Sequence, residues 1–177
     1  SGLDLKKDAT LIYGTPPLLT QIAIQGEQDA TLTFWNFCAE LEGKGFRRAV
    51  AMDEVMKHLG ARGAISIVGY VFDEAWAAKN RGAVDRFLAM TQEAKKILAN
   101  SDAEWQRLAP RIGTTDAATL AIYRKRYLEG IPQRTAAEEA TDAAALYLVL
   151  AEIGGADLVG PAKALDPATF YRPNRGE

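Results

Sequence analysis

A β-rich run that leads into a helix start lies near the beginning of the chain, Ala9-Thr10-Leu11-Ile12-Tyr13-Gly14-Thr15-Pro16. Its branched and aromatic residues favour a short strand that ends at Gly14. Thr15 is a favourable N-cap residue, and Pro16 suits the first helical position, where the missing N–H of proline costs nothing. The run therefore predicts a strand followed by a helix that continues to Gly26.

A second strand is predicted after this helix, over Asp29-Ala30-Thr31-Leu32-Thr33-Phe34-Trp35. Two strands joined by a helix form a parallel crossover, and ligands of open α/β sheets bind beyond the carboxyl ends of the strands. The helix N-terminus at one of these ends favours an anion. The alternative interpretation is ordinary turn chemistry beside a core tryptophan. The candidate ligand-binding residues at the two ends are Thr15, Pro16, Trp35, Asn36 and Phe37.

The remaining sequence predicts two more strands and then helices. Residues 47–52 are a third strand candidate, and Ile65–Phe72 is the strongest strand pattern of the chain. Tyr70 joins the candidate ligand-binding residues because it carries a polar group at an expected cleft edge. A helix is also predicted roughly from Cys38 to Lys44, and Asp53 is expected to cap another that includes Met56. Helices alone are predicted after Phe72, and the last long one, over 136–153, is apolar almost all round and is expected to be buried. The composition changes near Arg62. We therefore expect one part over residues 1–62 and another over residues 63–177.

The composition excludes several classes of function. The chain has 177 residues, 21 basic and 23 acidic side chains and a net charge of −2, which is not the basic footprint of a nucleic-acid-binding protein. The single cysteine, Cys38, excludes an internal disulfide and a cysteine-built metal site, and the single histidine, His58, disfavours a Ser-His-Asp triad. We therefore expect no enzyme activity, no catalytic residues, no metal and no cofactor. An α/β enzyme is the less favoured alternative.

Three stretches together carry a resemblance to a known family. They are Tyr13-Gly14-Thr15-Pro16-Pro17-Leu18-Leu19, then Gly26-Glu27-Gln28-Asp29-Ala30 followed by Phe34-Trp35-Asn36-Phe37, then Gly69-Tyr70-Val71-Phe72 with Asn80 opening a helix. The chain resembles the solute-binding proteins of nitrate, sulfonate and taurine-type ABC importers, a family that also includes thiamine-precursor binders. The resemblance covers nearly the whole chain and the later part of the family's sequence.

The resemblance implies an α/β fold of the type 2 periplasmic-binding-protein class, here a partial two-lobe clamshell with a helix-rich C-terminal half. Residues 1–62 would belong to the second lobe as a β-α-β unit, and residues 63–177 would return to the first lobe. Thr15 and Pro16 would face the cleft, Trp35, Asn36 and Phe37 would contact the ligand, and Tyr70 would lie near the crossing between lobes.

The function implied by the resemblance is capture of a small solute for delivery to a membrane permease. The solute would be an anion of the sulfonate or nitrate kind, or a heteroaromatic compound. The expected partners are this solute, an ABC permease, and a further N-terminal segment or second chain, without nucleic acid. The expected location is periplasmic or extracytoplasmic, although Ser1-Gly2-Leu3-Asp4 does not have the pattern of a signal peptide. The alternative function is a ligand-sensing effector domain of a bacterial regulator.

Overall fold

A computed structural model of the chain describes residues 4–171, apart from the side chain of Leu5. Helices are the regular elements of this range, and a short 3₁₀ turn follows them at Pro167–Thr169. In chain order the helices are α1 Leu5–Asp8, α2 Pro16–Ile24, α3 Trp35–Gly43, α4 Met52–His58, α5 Glu74–Lys79, α6 Arg81–Asn100, α7 Asp102–Ile112, α8 Ala117–Glu129 and α9 Ala136–Val159.

The predicted α/β clamshell is wrong, because residues 4–171 contain helices and irregular segments but no strand. The runs expected as strands are irregular over 9–13, 30–34 and 47–51, and the run at 65–72 is irregular with a bend at Val68. Strand propensity depends on pairing with a neighbour. In the described part of the chain, no backbone hydrogen bond joins one of these four segments to another. Trp35, Asn36 and Phe37 form the first turn of α3 instead of the end of a strand.

Several helix positions follow the predictions closely. Thr15 is the N-cap of α2 and Pro16 is its first residue, as expected from their backbone preferences. Asp53, the predicted N-cap of the next helix, lies in its first turn instead, because the N-cap is Ala51 and the helix begins at Met52. The helix predicted over 136–153 begins at Ala136 and continues to Val159, through a kink at Gly155, where φ is 60°. A positive φ of this kind favours glycine.

The chain divides into two units, Ser1–Arg48 with Trp105–Glu129, and Ala49–Glu104 with Gly130–Glu177. In the first unit, α3 packs against α8 and also against α2. Gly43 permits the close approach of α3 to α8, because a Cβ at this position would lie 2.7 Å from Cγ2 of Thr119. Buried side chains of this unit include Thr20, Ala23, Ala39, Leu41, Trp105, Ala109, Leu120 and Tyr123.

In the second unit, two acidic residues of α9 hold the irregular segment that follows α4. Asp142 accepts hydrogen bonds from the backbone N–H of Arg62 and from the side chains of Arg62 and Arg134, at 2.8–2.9 Å. Glu139 accepts one from the backbone N–H of Ser66 at 2.9 Å. Both carboxylates are buried, which is tolerated because each has hydrogen-bond partners. Residues 62–66 are thereby fixed to the first half of α9. The predicted boundary between one part of the chain over residues 1–62 and another over residues 63–177 stays a prediction.

Candidate functional site

The N-terminal turn of α3 contains three of the six candidate residues. Its N-cap residue is Phe34, whose side chain has no polar group to cap the helix. The N–H of Cys38 donates to the carbonyl of Phe34 at 3.0 Å, so the first intrahelical bond starts there. The N–H groups of Trp35, Asn36 and Phe37 therefore precede the intrahelical ladder, at the positive end of the helix dipole. This turn presents three amide donors to an acceptor outside the helix.

A buried hydroxyl lies directly before this turn. Within the described residues, Thr33 Oγ1 is enclosed and has no hydrogen-bond partner, although most buried polar atoms in proteins have one. The carbonyl of the same residue accepts a weak hydrogen bond from Sγ of Cys38 at 3.8 Å. Burial raises the pKa of the Cys38 thiol, and the negative charge of Glu42 raises it further. The thiol is therefore protonated at neutral pH and serves as a weak donor, as expected for a small half-buried residue.

The start of α2 is a weaker anion site than its sequence suggests. Thr15 is exposed, has extended backbone with φ −69° and ψ 148°, and makes no side-chain cap hydrogen bond. Pro16 and Pro17 carry no N–H, and the N–H of Leu19 donates to the carbonyl of Thr15. Leu18 therefore supplies the one amide donor of the first helical turn that precedes the intrahelical ladder. Since α2 packs against α3, Thr15 and Pro16 belong to the same unit as Trp35.

Trp35 is part of an aromatic cluster that the sequence analysis did not identify. Its ring lies 6.3 Å from that of Tyr123 and 6.0 Å from that of Tyr127, and Trp105 lies 5.6 Å from Tyr127. These separations are in the range of favourable edge-to-face contacts. Burial raises the pKa of the Tyr123 hydroxyl, with a smaller effect from the charge of Glu40. The spacing of Tyr123 and Tyr127, four residues apart on one helix, is the signal in the sequence that indicates this shared face.

The indole of Trp35 combines packing with accessibility. Trp35 is 46% exposed, whereas Trp105 and Tyr123 are buried. One part of the ring therefore packs on tyrosines of α8, and the rest is exposed. A ring in this position can stack on the organic part of a ligand while the amides bind an acidic group.

A charged network fixes the opposite end of α3 to α8. The Arg126 guanidinium binds both carboxylate oxygens of Glu42 at 2.8 Å and also binds Glu129 at 2.8 Å, and Arg48 reaches Glu129 at 3.2 Å. The hydrogen bonds that Arg126 donates to Glu42 raise the pKa of Arg126. Burial raises the pKa of Glu129, but the hydrogen bonds and charges of Arg126 and Arg48 outweigh it, so the net pKa is lowered. The network stabilises the α3–α8 pair that carries Trp35.

Tyr70, the sixth candidate, belongs to the second unit and packs within it. Its ring lies 4.8 Å from that of Phe87 on α6, at an interplanar angle of 82°. Phe72, on the same irregular segment, packs at 5.1 Å on Tyr171. The structure therefore brings Thr15, Pro16, Trp35, Asn36 and Phe37 into one unit, and Tyr70 into the other.

Two surface depressions lie away from these candidate residues. One of about 590 Å³ runs along α8 in the first unit, and its lining includes Arg124, Lys125 and Leu128. The other, of about 210 Å³, lies in the second unit between α9 and the 3₁₀ turn, beside Ala144 and Phe170. Both are open at the surface, so neither offers the enclosure that most small-molecule sites have.

Residues 4–171 contain no group of three or more potential ligands that could hold a metal ion. Over the same range, no helix is long and apolar enough to cross a membrane. The chain matches no family model, and no curated protein matches it.

Proposed function

We propose that the chain is the solute-binding component of an ABC importer and that it binds a small organic anion at the N-terminal turn of α3. The class of solute comes from the sequence resemblance alone, because residues 4–171 form helices and not the α/β architecture that the resemblance implied. The observation that carries the proposal is the juxtaposition of three free amides, on Trp35, Asn36 and Phe37, with the accessible indole of Trp35. We propose a sulfonate as the preferred acidic group, because it joins a charged head to organic bulk.

The two parts of such a ligand would meet different parts of the site. Backbone N–H groups at a helix N-terminus donate to the oxygens of an anion, and the helix dipole favours its negative charge. The side-chain amide of Asn36 can add a further donor. The indole face would cover the organic part, and one aromatic contact of this kind contributes about 1 kcal/mol. Charge and shape would thus be recognised by neighbouring groups of one helical turn.

The wider role follows from the proposed class. A solute-binding component captures its ligand outside the cytoplasm and delivers it to a membrane permease, so a permease is the proposed macromolecular partner and the periplasm the proposed location. We propose no catalytic step. The groups beside Trp35 are amides, aromatic rings and one protonated thiol, which bind a ligand without changing it.

Calorimetric titration with a matched pair of compounds tests the proposal. Ethanesulfonate and the uncharged ethyl methyl sulfone have similar size, so the free amides predict binding of the first and much weaker binding of the second. Taurine and nitrate complete the series. Binding of the sulfone as strongly as the sulfonate would contradict recognition of an anion, and no binding of ethanesulfonate, taurine or nitrate would contradict the proposed class of solute.

The variant Trp35→Phe tests the place of binding. Loss of the indole is expected to weaken sulfonate binding about fivefold, equivalent to about 1 kcal/mol. Trp76→Phe is the matched control, because Trp76 is similarly exposed but lies on α5 in the second unit. Equal effects of the two variants, or unchanged affinity together with reduced stability of Trp35→Phe, would assign Trp35 a purely structural role.

A further inference from the structure

An exposed apolar surface in the second unit joins the 65–72 segment to α6. Tyr70 connects the two parts, because its ring packs on that of Phe87 at 4.8 Å. Exposure within the surface runs from 42% for Phe87 to 95% for Val71. We call this the 67–90 surface, and it consists of Ile67, Val68, Tyr70, Val71, Phe87 and Met90.

The size of the 67–90 surface is that of a small protein interface. Its two aromatic side chains, Tyr70 and Phe87, are 61% and 42% exposed, and at about 150–250 Å² for a whole aromatic side chain they expose on the order of 200 Å². The four aliphatic side chains are 67–95% exposed and add at least as much again, so the surface reaches the range of about 300–600 Å² of the largest apolar patch on an ordinary monomer. Two such surfaces in contact would bury about 1,000 Å², which is the lower limit for a specific interface.

The charges along α6 favour a second copy of the same chain as the occupant. Arg86 and Glu93 lie on the stripe of α6 that contains Met90, at spacings of four and three residues. If two copies of α6 cross antiparallel between Ala89 and Met90, Arg86 of each copy lies opposite Glu93 of the other. Because the axis is two-fold, the same Arg86–Glu93 pair would form twice, as is typical of an isologous interface, where residue i contacts residue j and residue j contacts residue i.

The segment on the other side of the surface is also compatible with self-contact. Residues 65–72 contain no charged side chain, so two copies of the segment do not repel one another. We propose that the chain forms a two-fold symmetric dimer through the 67–90 surface, with α6 of each copy crossing α6 of the other.

Sedimentation velocity of the purified chain tests the dimer. A mass of twice 19.2 kDa, about 38 kDa, is expected for the dimer, with dissociation on dilution. Val71→Lys and Met90→Lys place a charge in the interface and are expected to give monomers with unchanged far-UV circular dichroism. Leu32→Lys is the matched control, because Leu32 is an exposed apolar residue of the first unit, and it should leave the dimer intact.

A charge exchange tests the geometry without disturbing the apolar contact. Arg86→Glu alone and Glu93→Arg alone are each expected to weaken dimerisation about tenfold, and the double variant is expected to restore it. Glu93 also lies 3.8 Å from Lys96 on the surface of its own helix, a pair that contributes little. A monomeric wild-type chain at all concentrations, or association that persists in both lysine variants, would overturn the proposal. Absence of rescue in the double variant would overturn the antiparallel crossing.

Discussion

Replacing Arg126 by methionine would remove the centre of the charged network in the first unit. Methionine keeps the apolar stem of the side chain but removes the guanidinium that binds Glu42 and Glu129. Glu42 would then lie between α3 and α8 with no cation at 2.8 Å. We expect the substitution to destabilise the pair of helices that carries the aromatic cluster.

The magnitude follows from the exposure of the two partners. The side chains of Arg126 and Glu42 are 15% and 12% exposed, so the pair is close to the buried limit. Removing one partner of a buried pair costs about 3–5 kcal/mol, and exposed pairs contribute about 0–1 kcal/mol. We therefore expect Arg126→Met to lower the free energy of unfolding by about 3 kcal/mol.

Urea denaturation followed by tryptophan fluorescence measures this loss, because Trp35 and Trp105 both contact tyrosines of α8. Combining Arg126→Met with Glu42→Leu should recover part of the stability, since the unpaired carboxylate is removed as well. Lys57→Met is the control, because Lys57 forms an exposed pair with Asp53 at 3.7 Å and should lose less than about 1 kcal/mol. A loss for Arg126→Met no larger than that of the control would refute the reasoning.

Three further substitutions test the packing, the acidic contacts and the helix caps. Gly43→Ala should lower the free energy of unfolding by about 1–3 kcal/mol in urea titrations, because its Cβ would meet the side chain of Thr119. Gly69→Ala is the control, since the space around Gly69 is open and the change should be nearly neutral. Equal effects of the two variants would contradict the close approach of α3 to α8. The hydrogen bonds from Arg62 lower the pKa of Asp142 to about 2, so the ionised carboxylate stabilises the fold fully above its unfolded pKa near 3.8. This contribution is lost as the pH falls towards 2. Thermal melts of Asp142→Asn should lack this acid dependence, and an acid profile equal to that of the wild type would contradict the role of Asp142. Thr135→Ala should cost about 1 kcal/mol, since it removes the capping box with Glu138, and an unchanged melting temperature would contradict that role.

Local signals predicted helix starts well. Thr15-Pro16 places the start of α2, because proline fixes its own φ and lacks only an N–H that the first turn leaves unpaired anyway. The start of α3 was missed by three residues, because Phe34 gives no side-chain capping signal and Trp35 had been assigned to a strand. A helix start is therefore readable from the sequence where a proline or a capping residue marks it.

Strands and distant contacts could not be predicted in the same way. The pattern of Ile65–Phe72 favours a strand, yet the segment bends at Val68 and is held by Glu139 on α9 and by the Tyr70–Phe87 contact. β-propensity largely measures packing against neighbouring strands. The sequence of one segment does not show whether such a neighbour exists. The α9 prediction also assumed burial all round, whereas Leu148 and Ile153 are exposed.

In the candidate site, too, neighbouring residues were predicted to lie together, and the contacts between distant residues were not predicted. The sequence placed Trp35 beside Asn36 and Phe37 at the end of an element, and the structure places them together at the start of a different kind of element. The contacts of Trp35 with Tyr123 and Tyr127, and of Arg126 with Glu42, join residues more than 80 positions apart. Such pairs leave no local pattern, so they become visible only when α3 and α8 are seen to pack together.

Amide chemical shifts of the first unit test the central proposal most directly. Titration of the ¹⁵N-labelled chain with ethanesulfonate is expected to give its largest shifts at the N–H groups of Trp35, Asn36 and Phe37, because hydrogen bonds to an anion move amide protons strongly. The uncharged sulfone should leave these signals in place. Saturable shifts confined to the groove along α8, or no saturable shift at the three amides, would contradict binding at the N-terminal turn of α3.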